Sequence, residues 1–289
     1  MYVITGATGN TGSVAAETLL AAGKKVRAVV RSAAKAKHLA ELGAELFEAD
    51  LNDEATLTRA FQGADGVYLL SPPDVTLNDF LGERKKLTDR LARVVQAAGV
   101  KHVVFLSSIG AQHRTGTGMI RSVYEGEQAL RTSGVPATFV RASYFLENWA
   151  AVLQAVQQDG VLPSFIAASH AIPMIAAKDI GKAVAQALLD GPRGTRIIEL
   201  SGPSDVSPED VAQAFSNILG RSVKVVEPPM AAAVPTFTSF GISQNVAELF
   251  QELYEGIANG KIAYEGGKAE RLRGSTTAEQ ALRPLTGKQ

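Results

Sequence analysis

The sequence contains no cysteine, which excludes disulfides, thiol catalysis and cysteine-ligated metals at once. Histidine is scarce. His38, His102, His113 and His170 are scattered, without the spacing of a metal-ligand set, and no metal site is expected. Net charge is also missing. Lys+Arg and Asp+Glu stand at 29 each, so overall charge points to neither nucleic acid nor an anionic membrane. No apolar run approaches the roughly 18 residues of a membrane span. A strand pattern begins at residue 2, so no leader peptide is expected and a cytoplasmic setting is the default. What remains is a globular mixture, 46% hydrophobic and 20% charged over 289 residues. That length suits one large domain, or a core domain with a smaller lobe. Oligomeric state is not fixed; a homodimer is compatible.

The informative stretch is the first thirty residues. Tyr2-Val3-Ile4-Thr5 reads as a strand and runs into Gly6-Ala7-Thr8-Gly9-Asn10-Thr11-Gly12. Ser13 to Ala22 carries a helical pattern, and Val26 to Val30 is a second strand. Strand, glycine loop, helix, strand is the context of a dinucleotide fingerprint, here spaced Gly-x-x-Gly-x-x-Gly. Gly6 suits the turn off the strand. Gly9 lets phosphates approach the backbone. Gly12 allows close packing of the helix. Free N–H groups of the first helical turn then face a pyrophosphate, with Thr8, Asn10 and Thr11 as short polar neighbours.

The end of the second strand selects the cofactor. An acidic residue there would hold the ribose 2′-OH of NADH. The stretch from Lys24 to Lys37 has no Asp or Glu and six basic residues. Arg31 can stack on adenine and pair with a 2′-phosphate, which favours NADPH over NADH. The third strand ends at Asp50-Leu51, beside the adenine position, where Asp50 either takes the adenine amino group or caps the next helix. The fourth strand, Gly66 to Leu70, stops at Ser71-Pro72 on the edge where ligands bind in open α/β sheets. Asp74 to Phe80 reads as a loop bordering the nicotinamide side. The fifth strand ends in Ser107-Ser108, and the polar, glycine-rich stretch Gln112 to Gly118 reads as a mobile loop.

Alternating strands and helices over residues 1–141 imply a doubly wound, parallel α/β Rossmann sheet. A helix from Asp179 and a strand at 195–200 are expected to rejoin it, making 173–200 part of the core. Residues 142–172 and 201–289 are assigned to a smaller, mainly helical lobe on the substrate side. In that lobe Tyr144 to Gln158 reads as one amphipathic helix, with Phe145 and Trp149 on one face. Pro228 to Pro235 reads as a linker.

Gly6-Ala7-Thr8-Gly9-Asn10-Thr11-Gly12, Ser107-Ser108-Ile109-Gly110 and Arg141-Ala142-Ser143-Tyr144-Phe145-Leu146-Glu147-Asn148 together resemble the NmrA-like branch of the atypical short-chain dehydrogenases. Ala177-Lys178-Asp179-Ile180-Gly181 and Leu200-Ser201-Gly202-Pro203 extend the resemblance over most of the chain. It implies a fold more specifically than an activity, because members include quinone reductases, azo-dye reductases, relatives of isoflavone reductases and cofactor sensors that do no chemistry. A short-chain dehydrogenase would use Tyr-x-x-x-Lys on one helix, where Lys lowers the Tyr pKa. Tyr124 here is followed four residues later by Gln128, which cannot supply that charge. The reading is therefore direct hydride transfer from NADPH to an electron-poor acceptor, a quinone, azo compound or similar flat molecule. Tyr144, Phe145 and Trp149 are the candidate aromatic wall, and Tyr124, Asn148 and His170 the candidate polar or catalytic contacts. The alternative is a non-enzymatic regulator that senses nicotinamide cofactors and acts through a protein partner.

Overall fold

A computed structural model describes residues 1–267 and 269–287; Lys268, Lys288 and Gln289, all within the expected lobe, lie outside the described residues. In chain order the first half contains β1 (Tyr2–Ile4), α1 (Gly12–Ala21), β2 (Val26–Val30), α2 (Lys37–Glu41), β3 (Glu45–Glu48), α3 (Glu54–Phe61), β4 (Gly66–Leu69), α4 (Phe80–Ala97), β5 (Val103–Ser108), α5 (Arg121–Thr132) and β6 (Ala137–Ala142). The second half contains β7 (Tyr144–Phe145), α6 (Leu153–Asp159), β8 (Val161–Pro163), β9 (Ile172–Ile175), α7 (Ala177–Asp190), β10 (Thr195–Ser201), β11 (Asp205–Val206), α8 (Pro208–Leu219), β12 (Lys224–Val226), α9 (Ala233–Ser239), α10 (Gln244–Ala258), β13 (Glu270–Arg273) and α11 (Ala278–Leu282).

The main sheet has eight strands in the order β13-β10-β6-β5-β4-β1-β2-β3, every neighbouring pair parallel. Its central strands are mainly apolar on both faces, as helices covering both sides require. One face packs Ile4, Tyr68, Val104 and Val140 against Leu19 of α1 and Ile180, Val184 and Leu188 of α7. The other packs Val3, Val67, Phe105 and Phe139 against Leu57 of α3, Leu91 and Val95 of α4, and Leu130 of α5. Phe105 and Phe139 meet edge to face at 6.4 Å, worth about 0.5–1.5 kcal/mol beyond their burial. Both edge strands, Glu45-Leu46-Phe47-Glu48 and Glu270-Arg271-Leu272-Arg273, carry charges that discourage pairing with another chain. His102, at the foot of β5, is fully buried, with Nε2 2.9 Å from Thr138 Oγ1. Burial, assisted by Arg196, pushes its pKa down to about 4.

Three expectations change. Glu270–Arg273, expected in the lobe, pairs with β10 and forms a sheet edge. The single helix over Tyr144–Gln158 is instead a short strand, a 3₁₀ turn over Leu146–Val152, and then α6. Tyr144 and Phe145 pair with Met174 and Ile175 of β9, so backbone pairing overrides the helical spacing there. The Pro228–Pro235 linker is partly helical: α9 begins at Ala233, and Pro235 sits in its first turn, where a missing N–H costs nothing.

The lobe has its own core, formed by Leu146, Trp149, Val156, Leu162, Met174, Val211, Phe215, Ile257 and Leu282. Two side chains fasten it to the sheet domain. Glu147 Oε1 accepts from the Ala177 amide at the head of α7, at 2.9 Å. Asp179, buried in the same turn, accepts from the Thr276 amide at 2.8 Å and hydroxyl at 3.0 Å.

Candidate functional site

The sheet reverses direction of winding between β1 and β4, the topological switch point at which open α/β sheets bind ligands. The glycine loop leaves β1 at this point. Gly6 has φ +60°, a value that favours glycine. A side chain on Gly12 would collide with the backbone of Gly6, whose carbonyl carbon is 2.7 Å from the position of its Cβ. Gly12 thus lets the helix start tight against its own loop, rather than against the strands. Gly9 has only the Gly6 carbonyl oxygen within 4 Å of that position, and Thr8, Gly9 and Asn10 are exposed.

Thr11 is the N-cap of α1, yet its side chain makes no capping bond. Its hydroxyl turns inward and lies 2.8 Å from the hydroxyl of the buried Tyr68. Thr11 therefore offers the groove its backbone. The first turn of α1 has no acidic residue either. Asp53, Asp79, Ser207, Ser243 and Thr277 cap α3, α4, α8, α10 and α11, whereas α2, α5, α6, α7 and α9 share the uncapped start of α1; what sets α1 apart is its place at the switch point. An uncapped helix start preceded by the exposed Thr8, Gly9 and Asn10 is a receptor for an anion. Gly181 secures it: a side chain there would meet Val14 at 2.6 Å and Thr11 O at 2.7 Å, so α7 packs directly behind the start of α1.

Arg31, just past β2, is exposed and makes no hydrogen bond or ion pair among the described residues. Arg27 differs, being bound to Glu45 and the Ala60 carbonyl. Asp50 accepts from the Asn52 amide at 2.7 Å, and Asp53, not Asp50, caps α3. Leu51 packs partly buried against the α3–α5 side of the sheet. Two residues past β4 the Ser71 hydroxyl is buried without a partner among the described residues, and the Pro72 carbonyl accepts from Arg84 at 2.7 Å. A buried hydroxyl left unsatisfied beside an uncapped helix start fits a polar ligand lying across the switch point.

Ser107 and Ser108, adjacent in sequence, have different partners. Ser108 donates to the Ile109 carbonyl at 3.0 Å. Ser107 donates at 2.6 Å to Glu127, one residue before the expected lysine position. Glu127 is fully buried and receives Arg141 at both oxygens, 2.8 Å each. Arg141, 3% exposed, also reaches Glu265 at 2.5 Å. Ser107, Arg141, Glu199 and Arg271 are register partners across β5, β6, β10 and β13, so one row of polar side chains crosses the sheet. Glu199 accepts from the Glu265 amide at 2.5 Å. Sequence reasoning passed over this network; the signal was one charged residue, Arg141, in a fully buried central strand.

The Gln112–Gly118 loop is held rather than mobile. Gly116 N donates to Glu252 at 2.6 Å, Gln112 donates to the Ala263 carbonyl at 2.9 Å, and Thr117 is fully buried. The loop owes its order to α10 and the segment behind it, which sequence spacing alone does not place there.

Tyr144, Phe145 and Trp149 do not form one helical stripe. Phe145 packs against the sheet core, while Tyr144 and Trp149 belong to the lobe core, with ring centroids 6.1 Å apart. Trp149 is 4% exposed, and its indole N–H has no partner among the described residues. Asn148 is exposed and meets the Tyr144 hydroxyl. Tyr124 is half-buried on α5, and His170 half-buried on the turn before β9. No hydrogen bond joins Tyr124, Asn148 and His170 to one another among the described residues. A separate cavity of about 220 Å³ lies in the lobe, lined by Leu146, Met174, Asp205, Asp210 and Thr277 among others, and none of the glycine-loop residues borders it.

Fold and site define a dinucleotide-binding α/β protein of the doubly wound class. The chain belongs to the NmrA-like family, whose model matches residues 2–278. It is 29% identical over 254 residues to the NAD(P)H azoreductase of Xenophilus azovorans, covering 88% of this chain and 86% of that protein. It is 28% identical over 285 residues to quinone oxidoreductase 2 of Escherichia coli strain K12, covering 97% and 96%. A solved structure of an NADPH-dependent quinone oxidoreductase from Escherichia coli, complexed with NADPH, superposes with a TM-score of 0.82 at 27% identity over 99% of both chains.

Proposed function

We propose that the protein is an NADPH-dependent oxidoreductase that delivers hydride directly to a quinone, azo compound or similar electron-poor acceptor. The observation that carries this reading is the uncapped start of α1 beside an unpaired Arg31. An anion is wanted at both places, and a dinucleotide with a 2′-phosphate supplies both. Similarity to an azoreductase and to a quinone oxidoreductase over most of each chain supports the acceptor class.

In this reading the amides of Gly9, Asn10, Thr11 and Gly12, with Gly6 and Thr8 shaping the loop, hold the pyrophosphate. Arg31 takes the 2′-phosphate. Asp50 and Leu51 border the adenine, and Ser71, Pro72, Ser107 and Ser108 border the nicotinamide half. Bound NADPH supplies the hydride. The chain's own work is to hold the acceptor flat beside the cofactor, to exclude water, and to offer a polar hydrogen to the reduced acceptor. Ser107 acts through Glu127, fixing the end of β5. Tyr124 has Gln128, not Lys, one turn on. The lobe formed by 142–172 and parts of 201–289 faces the acceptor. In this reading the protein acts in the cytoplasm on a small aromatic or quinone-like substrate, and a homodimer is compatible with it.

The test is NADPH and NADH oxidation at 340 nm with quinones, azo dyes and small carbonyl compounds. Turnover of quinones or azo dyes with NADPH preferred is expected. Tight NADPH binding with no turnover of any acceptor would refute the reading and favour the regulator.

A further inference from the structure

In a chain that is only 6% aromatic, four half-buried rings, Phe165, Phe237, Phe250 and Tyr254, meet in one cluster. Phe237 of α9 stacks on Phe250 of α10, with centroids 4.7 Å apart and 26° between planes. It lies parallel to Tyr254, at 6.1 Å and 3°. Phe165, from the segment between β8 and β9, meets both Phe237 and Tyr254 at 5.6 Å. Each of these rings keeps part of its surface exposed. Behind them lie buried residues: Phe80, Val246 and Leu249 next to Phe250, and Trp149 and Leu146 in the core that Tyr254 borders.

The wall stands on the same edge as the cofactor groove. Tyr144 is two residues past the end of β6. The start of α10 is bonded to the loop that follows Ser71 and Pro72: Ser243 N donates to Val75 O at 2.9 Å, Ser243 Oγ to Leu77 O at 2.6 Å, and Phe80 N to Asn245 at 3.0 Å. The wall also has a polar end, where the Tyr254 hydroxyl meets the Tyr144 hydroxyl, which meets Asn148. Burial raises the pKa of both phenols, so they stay protonated and keep a hydrogen to donate.

We propose that this wall is the acceptor site, that Phe237 selects flat fused-ring acceptors over single rings, and that the Tyr144–Tyr254 pair donates a hydrogen bond to the acceptor's carbonyl oxygen. The proposal rests on the reductase reading above. The reason for the selectivity is area: a fused bicyclic ring covers Phe237 together with its neighbours, whereas a single ring covers one face.

Two quinones, 1,4-naphthoquinone and 1,4-benzoquinone, test it. Binding is read without turnover from saturable quenching of Trp149, the single tryptophan, whose ring is 6.1 Å from Tyr144. KM and kcat are read from NADPH oxidation. Phe237→Ala should raise the Kd and KM for naphthoquinone about tenfold and those for benzoquinone about twofold. Tyr254→Phe, which keeps the ring, should weaken both quinones about fivefold. Equal effects of Phe237→Ala on the two quinones, or none, would overturn the site. If wild-type protein turns over neither quinone yet naphthoquinone quenching still depends tenfold on Phe237, the reductase reading fails and the site stands. Turnover with quenching indifferent to Phe237 and Tyr254 retains the reductase and removes this site.

Discussion

Separating Glu127 from Arg141 should cost several kcal/mol, and joining the two substitutions should recover most of it. Glu127→Leu leaves Arg141, 3% exposed, with Glu265 as its remaining acid, and the Glu265 side chain is 42% exposed. Arg141→Met leaves Glu127, fully buried, with the Ser107 hydroxyl and an Arg131 contact at 3.5 Å. Breaking a buried pair by removing one partner costs about 3–5 kcal/mol, because the surviving charge stays desolvated. At about 2.1 cal/mol/K of unfolding entropy per residue, a chain of 289 residues has about 0.6 kcal/mol/K, so each single variant should melt about 5–8 °C lower. The Glu127→Leu/Arg141→Met double variant replaces the pair with apolar groups of similar size and should lie within about 1 kcal/mol of wild type. Urea unfolding monitored by Trp149 fluorescence and by far-UV circular dichroism measures all four proteins. Single variants within 1 kcal/mol of wild type, or a double variant as unstable as the two singles summed, would refute the reasoning.

Three further outcomes are expected. Gly12→Ala places a methyl against the backbone of Gly6, a clash relieved only by moving the start of α1; titration calorimetry should show NADPH binding weakened more than about 100-fold, and a Kd within threefold of wild type would count against the loop. Arg31→Ala should weaken NADPH about 10- to 100-fold, as expected for a lost charged hydrogen bond, and NADH less than threefold; equal losses would remove Arg31 from the 2′-phosphate. His102 has a folded pKa of about 4 against about 6.5 unfolded, so the unfolded chain takes up its proton first as pH falls. Its stabilisation, about 3 kcal/mol, is present above pH 6.5 and lost between about 6.5 and 4. His102→Gln should flatten that part of the urea midpoint–pH curve, and parallel curves for the two proteins would exclude His102 as the cause.

The glycine loop and the central strands were legible because their causes are local. A turn that needs Gly6, an approach that needs Gly12 and strands buried on both faces each leave a mark on a few consecutive residues. The Ser207 and Ser243 caps of α8 and α10 are local marks of the same kind. What escaped depends on partners distant in sequence. Glu270-Arg271-Leu272-Arg273 looks like polar tail because an edge strand needs little apolar surface; its pairing is supplied by β10, about seventy residues earlier. The Gln112–Gly118 loop looks mobile until Glu252 is brought to it. Phe165, Phe237, Phe250 and Tyr254 are spread over ninety residues, and no spacing announces that their rings meet. Tyr144 to Gln158 misled for the opposite reason: its helical periodicity is real, but the backbone of β9 claims the first two residues.

The parallel pairing of β13 with β10 has a consequence for biosynthesis. On the ribosome, β10 emerges with Glu199 and the far side of its backbone bare, and it stays so for about seventy more residues. At about 5–20 residues per second that interval lasts about 4–14 seconds. Throughout it the nascent chain displays an open strand edge and an acid destined for burial, while Arg271, Glu265 and the amide that will meet Glu199 are still being made. The acid itself guards the edge during the wait, since a charged side chain repels the casual pairing that an apolar strand would invite. Glu199 thus serves the half-made chain as a gatekeeper before it serves the finished sheet as a clasp.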